Sequence, residues 1–257
     1  MCESHSTEAN GVSAKVADKG SPAPAVAADL LDDLVTANHI LFDQGVVDAF
    51  GHVSIRHDMD PDRFLLSGNK APGTVTHDDI IEFDLDGNPV NAKGRPVYLE
   101  RFIHGEIYRA RPDVKAIVHS HSRTVVPFSV ARGVKFRAVC HMSGFLGHEG
   151  APIFEIRETA GDSSDLLIRS NQLGAALAKT LGQSSFVLMR GHGSTTVGPS
   201  LKHAVYRAVY AEENAKLQMS AILLGDVEYL TPGEAETTCK NIETQVDRPW
   251  NLWKSRV

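Results

Sequence analysis

The chain has 257 residues, enough to bury a full core, and is 42% hydrophobic and 23% charged, the balance of a soluble globular protein. Its formal net charge of −6 is dispersed, and no stripe of Lys and Arg interleaved with aromatics is present, which argues against a nucleic-acid partner. Cys2, Cys140 and Cys239 form no C-x-x-C pair, the start "MCESHSTEANG" lacks a basic and apolar leader, and no apolar run reaches about 18 residues. A disulfide scaffold, a secretory signal and a membrane span are therefore not expected, whereas a reducing cytoplasmic setting is.

Residues 1–26, running into "KGSPAPAVAAD", carry little that is large and apolar and are expected to form a flexible tail ahead of one catalytic domain over 27–257. From Asp29, "DLLDDLVTANHILFDQGVV" spaces Leu30, Leu31, Leu34, Ile40 and Leu41 by roughly 3 and 4, which predicts an amphipathic helix. "FGHVSIRH" and "DRFLLSG" predict short strands separated by the turn chemistry of "DMDPD", and "IIEFDLDGNPVN" predicts a hairpin around Asp86-Gly87. Residues 98–110, "YLERFIHGEIYRA", predict a helix with Leu99, Phe102, Ile103 and Ile107 on one face.

After "RPD", "VKAIVHSHS" predicts a strand, and helices are expected in "TVVPFSVARG" and "SSDLLIRSNQLGAALAKTLG". "SSFVLMRGHGSTTVG" predicts a strand running into a glycine-bounded turn, and "SLKHAVYRAVYAEENAKLQMSAILLG" a long helix closed by Gly225. The alternation implies an α/β protein with helices covering a sheet.

His119 and His121, two residues apart, point to the same face of a strand and suit one metal ion. Two such histidines among the twelve in the chain are also compatible with plain solvation or hydrogen bonding. His192 sits alone between two glycines at the end of another apolar strand, where the backbone can approach a ligand closely or simply turn. Three imidazoles with a position left open suit Zn²⁺, Mn²⁺ or Fe²⁺. Glu100 precedes His104 by one helical turn and is a further ligand, an acid/base, or a surface carboxylate.

"GHVSIR", "ERFIHGEIYRARPDVKAIVHSHS" and "RGHGSTTVGPSLKHAVYRAVYAEENAKL" together resemble the class II aldolase/adducin family over about residues 28–225. The resemblance implies a three-layer α/β/α domain around a mainly antiparallel sheet, and a homotetramer with active sites at subunit interfaces. It matches His119, His121 and His192 to metal-binding histidines. Glu100 matches the glutamate that binds the metal or acts as acid/base.

The sequence departs from the sugar-phosphate members of that family. Gly51-His52-Val53-Ser54 stands where those enzymes read G-N-[IV]-S, and Tyr98-Leu99 replaces two serines that hold phosphate, which removes donors and adds apolar bulk. Ser67-Gly68 is retained, so the anion expected in the pocket is a carboxylate. Among Arg56, Lys70, Arg95 and Arg190, the bases near these motifs, Arg190 is taken as a substrate contact. Ser54, Ser67, Gly68, Tyr98 and Trp250 of "DRPWNLWKSRV" are the other candidates; ordinary terminal packing is the competing reading of Trp250 and Trp253.

This pattern is similar to the family's decarboxylases of hydroxypyridine dicarboxylates and dihydroxyphthalates. The resemblance implies a metal-dependent carbon–carbon lyase that decarboxylates a hydroxylated aromatic or heteroaromatic acid, with Glu100 or His52 delivering a proton to the ring. The alternatives are an aldolase or epimerase on a sugar or hydroxy-keto acid, an iron-dependent oxidative decarboxylase, and a non-catalytic adducin-like scaffold. Cys140, His141 and His148 are read as structural.

Overall fold

The computed structural model describes residues 25–257 together with Ser13, Ala14 and Asp18. The tail expected over 1–26 thus lies largely outside the described residues. Of those described, Ser13–Ala14 form a two-residue strand, β1, antiparallel to β5 (Val97–Tyr98), and Asp18 accepts hydrogen bonds from the backbone of Ala92 and Lys93 at 2.6 and 3.1 Å.

The main sheet contains β2 (His52–Arg56), β3 (Arg63–Ser67), β4 (Ile80–Asp84), β6 (Ala116–Ser120), β7 (Ile153–Phe154), β8 (Phe186–Met189) and β9 (Gly193–Gly198). Their order is β4-β3-β2-β6-β9-β8-β7, and every pair is antiparallel except β7 with β8. Eight helices accompany it among the described residues: α1 (Ala28–Asp43), α2 (Arg101–Ala110), α3 (Val126–Val130), α4 (Arg157–Ala160), α5 (Asn171–Leu181), α6 (Leu201–Leu224), α7 (Pro232–Ile242) and α8 (Asp247–Lys254). None is long and apolar enough to cross a membrane.

The period of two along the strands sorts their side chains into two cores. Val53 and Ile55 of β2 and Val118 of β6 join Leu34, Leu41, Ala204, Val205, Trp250 and Trp253 beneath α1, α6 and α8. Ile117 of β6 joins Ile103, Ile107, Leu177 and Leu181 beneath α2 and α5. His52, Ser54 and Arg56 therefore face α2, and the antiparallel register that sets His52 opposite His119 brings the first of the metal candidates alongside.

Four expectations change in detail. The helix expected from residue 98 begins at Arg101, because Val97–Tyr98 extend to pair with β1 and Glu100 has φ −90° and ψ 16°. The return arm of the Asp86-Gly87 hairpin is one bridge, Phe83 with Pro89. The glycine-bounded turn leads into a further strand, β9, which is buried throughout. The terminal tryptophans lie on α8, inside the α1–α6 core.

Candidate metal centre and active site

Each candidate ligand is placed by a different element. His119 is the fourth residue of β6, and the ring of His121, immediately past the strand, turns back so that their Nε2 atoms are 2.9 Å apart. His192 occupies the turn between β8 and β9, with its Nε2 2.9 Å from that of His121. Both glycines around it have a reason: Gly191 has φ +67°, and a Cβ on Gly193 would collide with the carbonyl oxygen of Ser120. Glu100, at the start of α2, brings Oε2 to 3.5 Å from His119 Nε2 and 3.4 Å from His192 Nε2. The four ligand atoms lie within 4.8 Å of one another.

Hydrogen bonding behind these rings shows what the cluster fits. The carbonyl of Ser194 accepts from His119 Nδ1 at 3.0 Å and that of Leu166 accepts from His192 Nδ1 at 2.8 Å. A carbonyl can only accept, so both rings carry their proton on Nδ1 and turn an Nε2 lone pair to the centre. Oε1 of Glu100 accepts from the Ile168 amide at 3.0 Å, leaving Oε2 facing the same point. Two imidazole lone pairs and a carboxylate oxygen converge with His121 Nε2, which lies 2.9 Å from each of the other two rings' Nε2 atoms, and this nitrogen- and oxygen-donor set fits a divalent metal.

Electrostatics agree with that reading. Burial, with His119 and His192 adding repulsion, pushes the His121 pKa down to about 3, and burial lowers that of His119 as well. Burial works the same way on His192, yet the neighbouring Glu100 carboxylate outweighs it and raises its pKa. Glu100 is itself held well below the usual carboxylate range, since His119 and His192 outweigh the burial that would raise it.

Beside the cluster lies a cavity of about 240 Å³. His52, Glu100 and His121 form its polar side, Phe50, Leu99 and Leu167 its apolar side, and Tyr98 a flat wall whose ring lies 4.6 Å from that of His52. Asn69 and Lys70 also line it, but Lys70 Nζ is 2.7 Å from Asp79 and most of its charge is thereby answered.

Of the residues singled out from sequence, His52, Tyr98, Glu100 and His121 line this cavity, with His119 and His192 joined to them through the cluster. The others stand elsewhere. Ser54 is buried behind His52, 2.6 Å from His104 Nδ1, while Ser67 donates to the Tyr98 hydroxyl at 3.5 Å and the Gly68 amide bonds the Asp79 carbonyl. Arg190 lies 2.6 Å from Glu155 in a separate surface depression, because the chain turns away from the site at Gly191. Trp250 is 2% exposed in the core below α1 and α6, since the terminal segment coils into α8 and packs there. The buried Arg56 is spent on backbone carbonyls including Val114 and Tyr108, and Arg95 on those of Ala92 and Ile80. Cys140, His141 and His148 do not line the cavity.

Sequence reasoning missed the 164–168 segment, which lines the cavity with Leu167 and supports the cluster through the main chain of Leu166 and Ile168. Its one visible signal is conformational: Leu166 is a non-glycine residue at φ +69°.

A profile of the Class II Aldolase and Adducin N-terminal domain matches residues 32–219. The chain belongs to the class II aldolase and adducin family. Among members of this family, it is 39% identical over 246 residues to "Decarboxylase tropJ" of Talaromyces stipitatus, covering 87% of this chain and 92% of that one. It is 28% identical to the 3,4-dihydroxyphthalate decarboxylase of Arthrobacter keyseri over 79% of this chain and 82% of that one. The solved structure of an L-fuculose 1-phosphate aldolase from Glaciozyma antarctica PI12 superposes with a TM-score of 0.73 at 22% identity, covering 92% and 94% of the two chains, and shows the same fold.

Proposed function

We propose that this class II aldolase-family lyase is a divalent-metal-dependent, non-oxidative decarboxylase of a hydroxylated aromatic or heteroaromatic carboxylic acid. The observation that carries the reading is a cluster of metal-binding donors opening onto a cavity walled by Tyr98, Leu99 and Phe50, with its single lysine already paired to Asp79. Flat and apolar walls suit a ring, and little free positive charge remains for a phosphate. The similarity to two named decarboxylases supports the same reaction class.

A bound divalent ion, with Zn²⁺ suited to the three imidazoles, Mn²⁺ to the Glu100 carboxylate and open positions, and Fe²⁺ also compatible, would supply Lewis-acid polarisation of substrate oxygens. Glu100, ionised in the free site, takes the proton of the ring hydroxyl as the acid binds. It returns that proton to the ring carbon bearing the carboxylate. The bond to the carboxylate then breaks, its electron pair restores the aromatic ring, and carbon dioxide leaves. Tyr98 and Leu99 hold the ring plane and exclude water during this exchange.

The exposed leucines at the end of α6, Leu223 at 87% and Leu224 at 90%, support self-association into the homotetramer expected for the family, which light scattering on the purified protein checks. Asn69 and Lys70 on the cavity wall favour one second reading, an aldolase acting on a hydroxy-keto acid or sugar.

The deciding experiment measures carbon dioxide release from a panel of hydroxylated benzoates, phthalates and pyridine carboxylates, with and without oxygen, in Mn²⁺, Zn²⁺ or Fe²⁺, with His192→Ala as the blank. Oxygen-independent release that disappears in the blank is the expected result. Carbon–carbon cleavage of hydroxy-keto acids in place of any release would transfer the assignment to the aldolase reading.

A further inference from the structure

Behind His52, a row of buried polar groups runs from the cavity into the core. His52 Nδ1 lies 2.7 Å from His104 Nε2, His104 Nδ1 lies 2.6 Å from Ser54 Oγ, and Ser54 Oγ lies 2.8 Å from the Tyr108 hydroxyl. The four residues come from two elements, β2 and α2, and are at most 3% exposed. The one hydrogen bond of the His52 ring to another described residue is made by Nδ1, which leaves Nε2 as the polar atom of the ring open to the cavity that His52 lines.

Each neutral member brings one proton, so four protons serve three contacts and one proton is left over. Three placements of the surplus are possible. If it rests on Tyr108, the row points inward: His52 donates to His104, His104 to Ser54, and Ser54 to a tyrosine whose own O–H then has no acceptor. If it rests on Ser54, that hydroxyl accepts from both sides and its buried O–H is stranded. If it rests on His52 Nε2, Tyr108 donates to Ser54, Ser54 to His104 Nδ1 and His104 Nε2–H to His52 Nδ1, and no buried donor is left without a partner. A stranded buried donor disfavours the first two placements by about tenfold or more each in population.

We infer that Tyr108, Ser54 and His104 are positioning residues that lock His52 in its Nε2–H form, so that this wall of the cavity is a fixed hydrogen-bond donor selecting an acceptor oxygen of the substrate, a carboxylate above all. The inference rests on the reading of this cavity as the substrate site, and it assigns His52 a task other than giving up a proton. A neutral imidazole that has lost Nε2–H would be an anion, whereas one that keeps it polarises the oxygen it faces. Proton return is then left to Glu100. A substrate presenting only an N–H at this wall would meet donor against donor and be rejected.

The test is the tautomer of His52 in the full chain, labelled with ¹⁵N-histidine, loaded with diamagnetic Zn²⁺ and read by long-range ¹H–¹⁵N correlation, with His52→Gln used for assignment. The expected result is a protonated Nε2 and an unprotonated Nδ1. In Tyr108→Phe, which removes the terminal donor, turning the row inward would still strand the Ser54 O–H, so the Nε2–H form of His52 persists; Ser54→Asp, which places an acceptor in the row, draws a proton from His104 Nδ1 and raises the opposite tautomer at least tenfold relative to wild type. Salicylate, added as a carboxylate probe, shifts the His52 Nε2–H resonance downfield, and benzylammonium, which offers N–H donors and no acceptor, does not.

A protonated Nδ1 in the wild-type protein overturns the inference, as does loss of the Nε2–H form in Tyr108→Phe or its persistence in folded Ser54→Asp. Because these readouts need no turnover, a lock that stands while no acid is decarboxylated would fault the proposed reaction alone.

Discussion

Glu100 and His104, four residues apart, serve different neighbours: the Glu100 carboxylate lies 3.4 Å from His192 Nε2, whereas His104 Nε2 lies 2.7 Å from His52 Nδ1. The separation arises because α2 starts only at Arg101, so Glu100 leaves the helix face that carries His104. One short segment thereby supplies both the carboxylate of the cluster and the imidazole behind His52.

Glu100→Gln keeps the shape of the side chain but loses the charge and the proton acceptor. Turnover is expected to fall by about 10²- to 10⁴-fold with circular dichroism unchanged. Activity near wild type would take Glu100 out of the chemistry.

Metal should stabilise the fold through the cluster. At a free metal concentration about 100 times its dissociation constant, the gain is about 2.7 kcal/mol, seen as a rise in unfolding midpoint that a chelator reverses. His192→Ala should show a much smaller rise; an equal rise in that variant would place the metal elsewhere.

Gly193→Ala forces a methyl group into the Ser120 carbonyl across β6 and β9. A loss of about 1–3 kcal/mol in urea unfolding is expected, together with weaker metal retention, because the strain falls on the turn that carries His192. Unaltered stability would mean that the two strands part more readily than their register implies.

Acid sensitivity follows from His104, whose pKa burial lowers to about 3. Between the unfolded value near 6.5 and that lowered value, the unfolded chain takes up a proton that the folded chain refuses, so stability falls as pH falls through this window. His52 and His121 are lowered too and add to the same slope, while the raised His192 acts above about 6.5, where its contribution is lost as pH rises. Urea midpoints of metal-free protein at pH 7 and pH 5 check this; equal midpoints would contradict the burial argument.

Trp250→Ala should cost about 3–5 kcal/mol while leaving the Michaelis constant of the folded fraction unchanged, since the indole fills the core under α1 and α6. A changed Michaelis constant at intact stability would return Trp250 to the substrate wall.

The elements legible in the sequence were those with a clear repeat. The 3.6-residue pattern of α1 and α6 and the alternation of His119 with His121 state their faces directly. β9 escaped because its residues, Gly193-Ser-Thr-Thr-Val-Gly198, contain one large apolar side chain and owe their burial to β6 and β8 on either side. The start of α2 was misplaced because Val97–Tyr98 are held extended by β1, a partner about eighty residues away. Trp250 was drawn toward the site by its chemistry, yet the helix that carries it is positioned by tertiary packing. His104 and Tyr108 gained a role only once β2 was laid in register against β6, a pairing across more than sixty residues that no local pattern encodes.

The segment around Leu166 holds the cluster by its main chain, through the Leu166 carbonyl and the Ile168 amide. Such contacts are blind to side-chain identity. A mutational scan that exchanges side chains at Leu166 would thus register packing and the strain of its positive φ, not the loss of a ligand contact. Proline at 168, which deletes the amide hydrogen itself, is the edit that exposes the segment's part in the site.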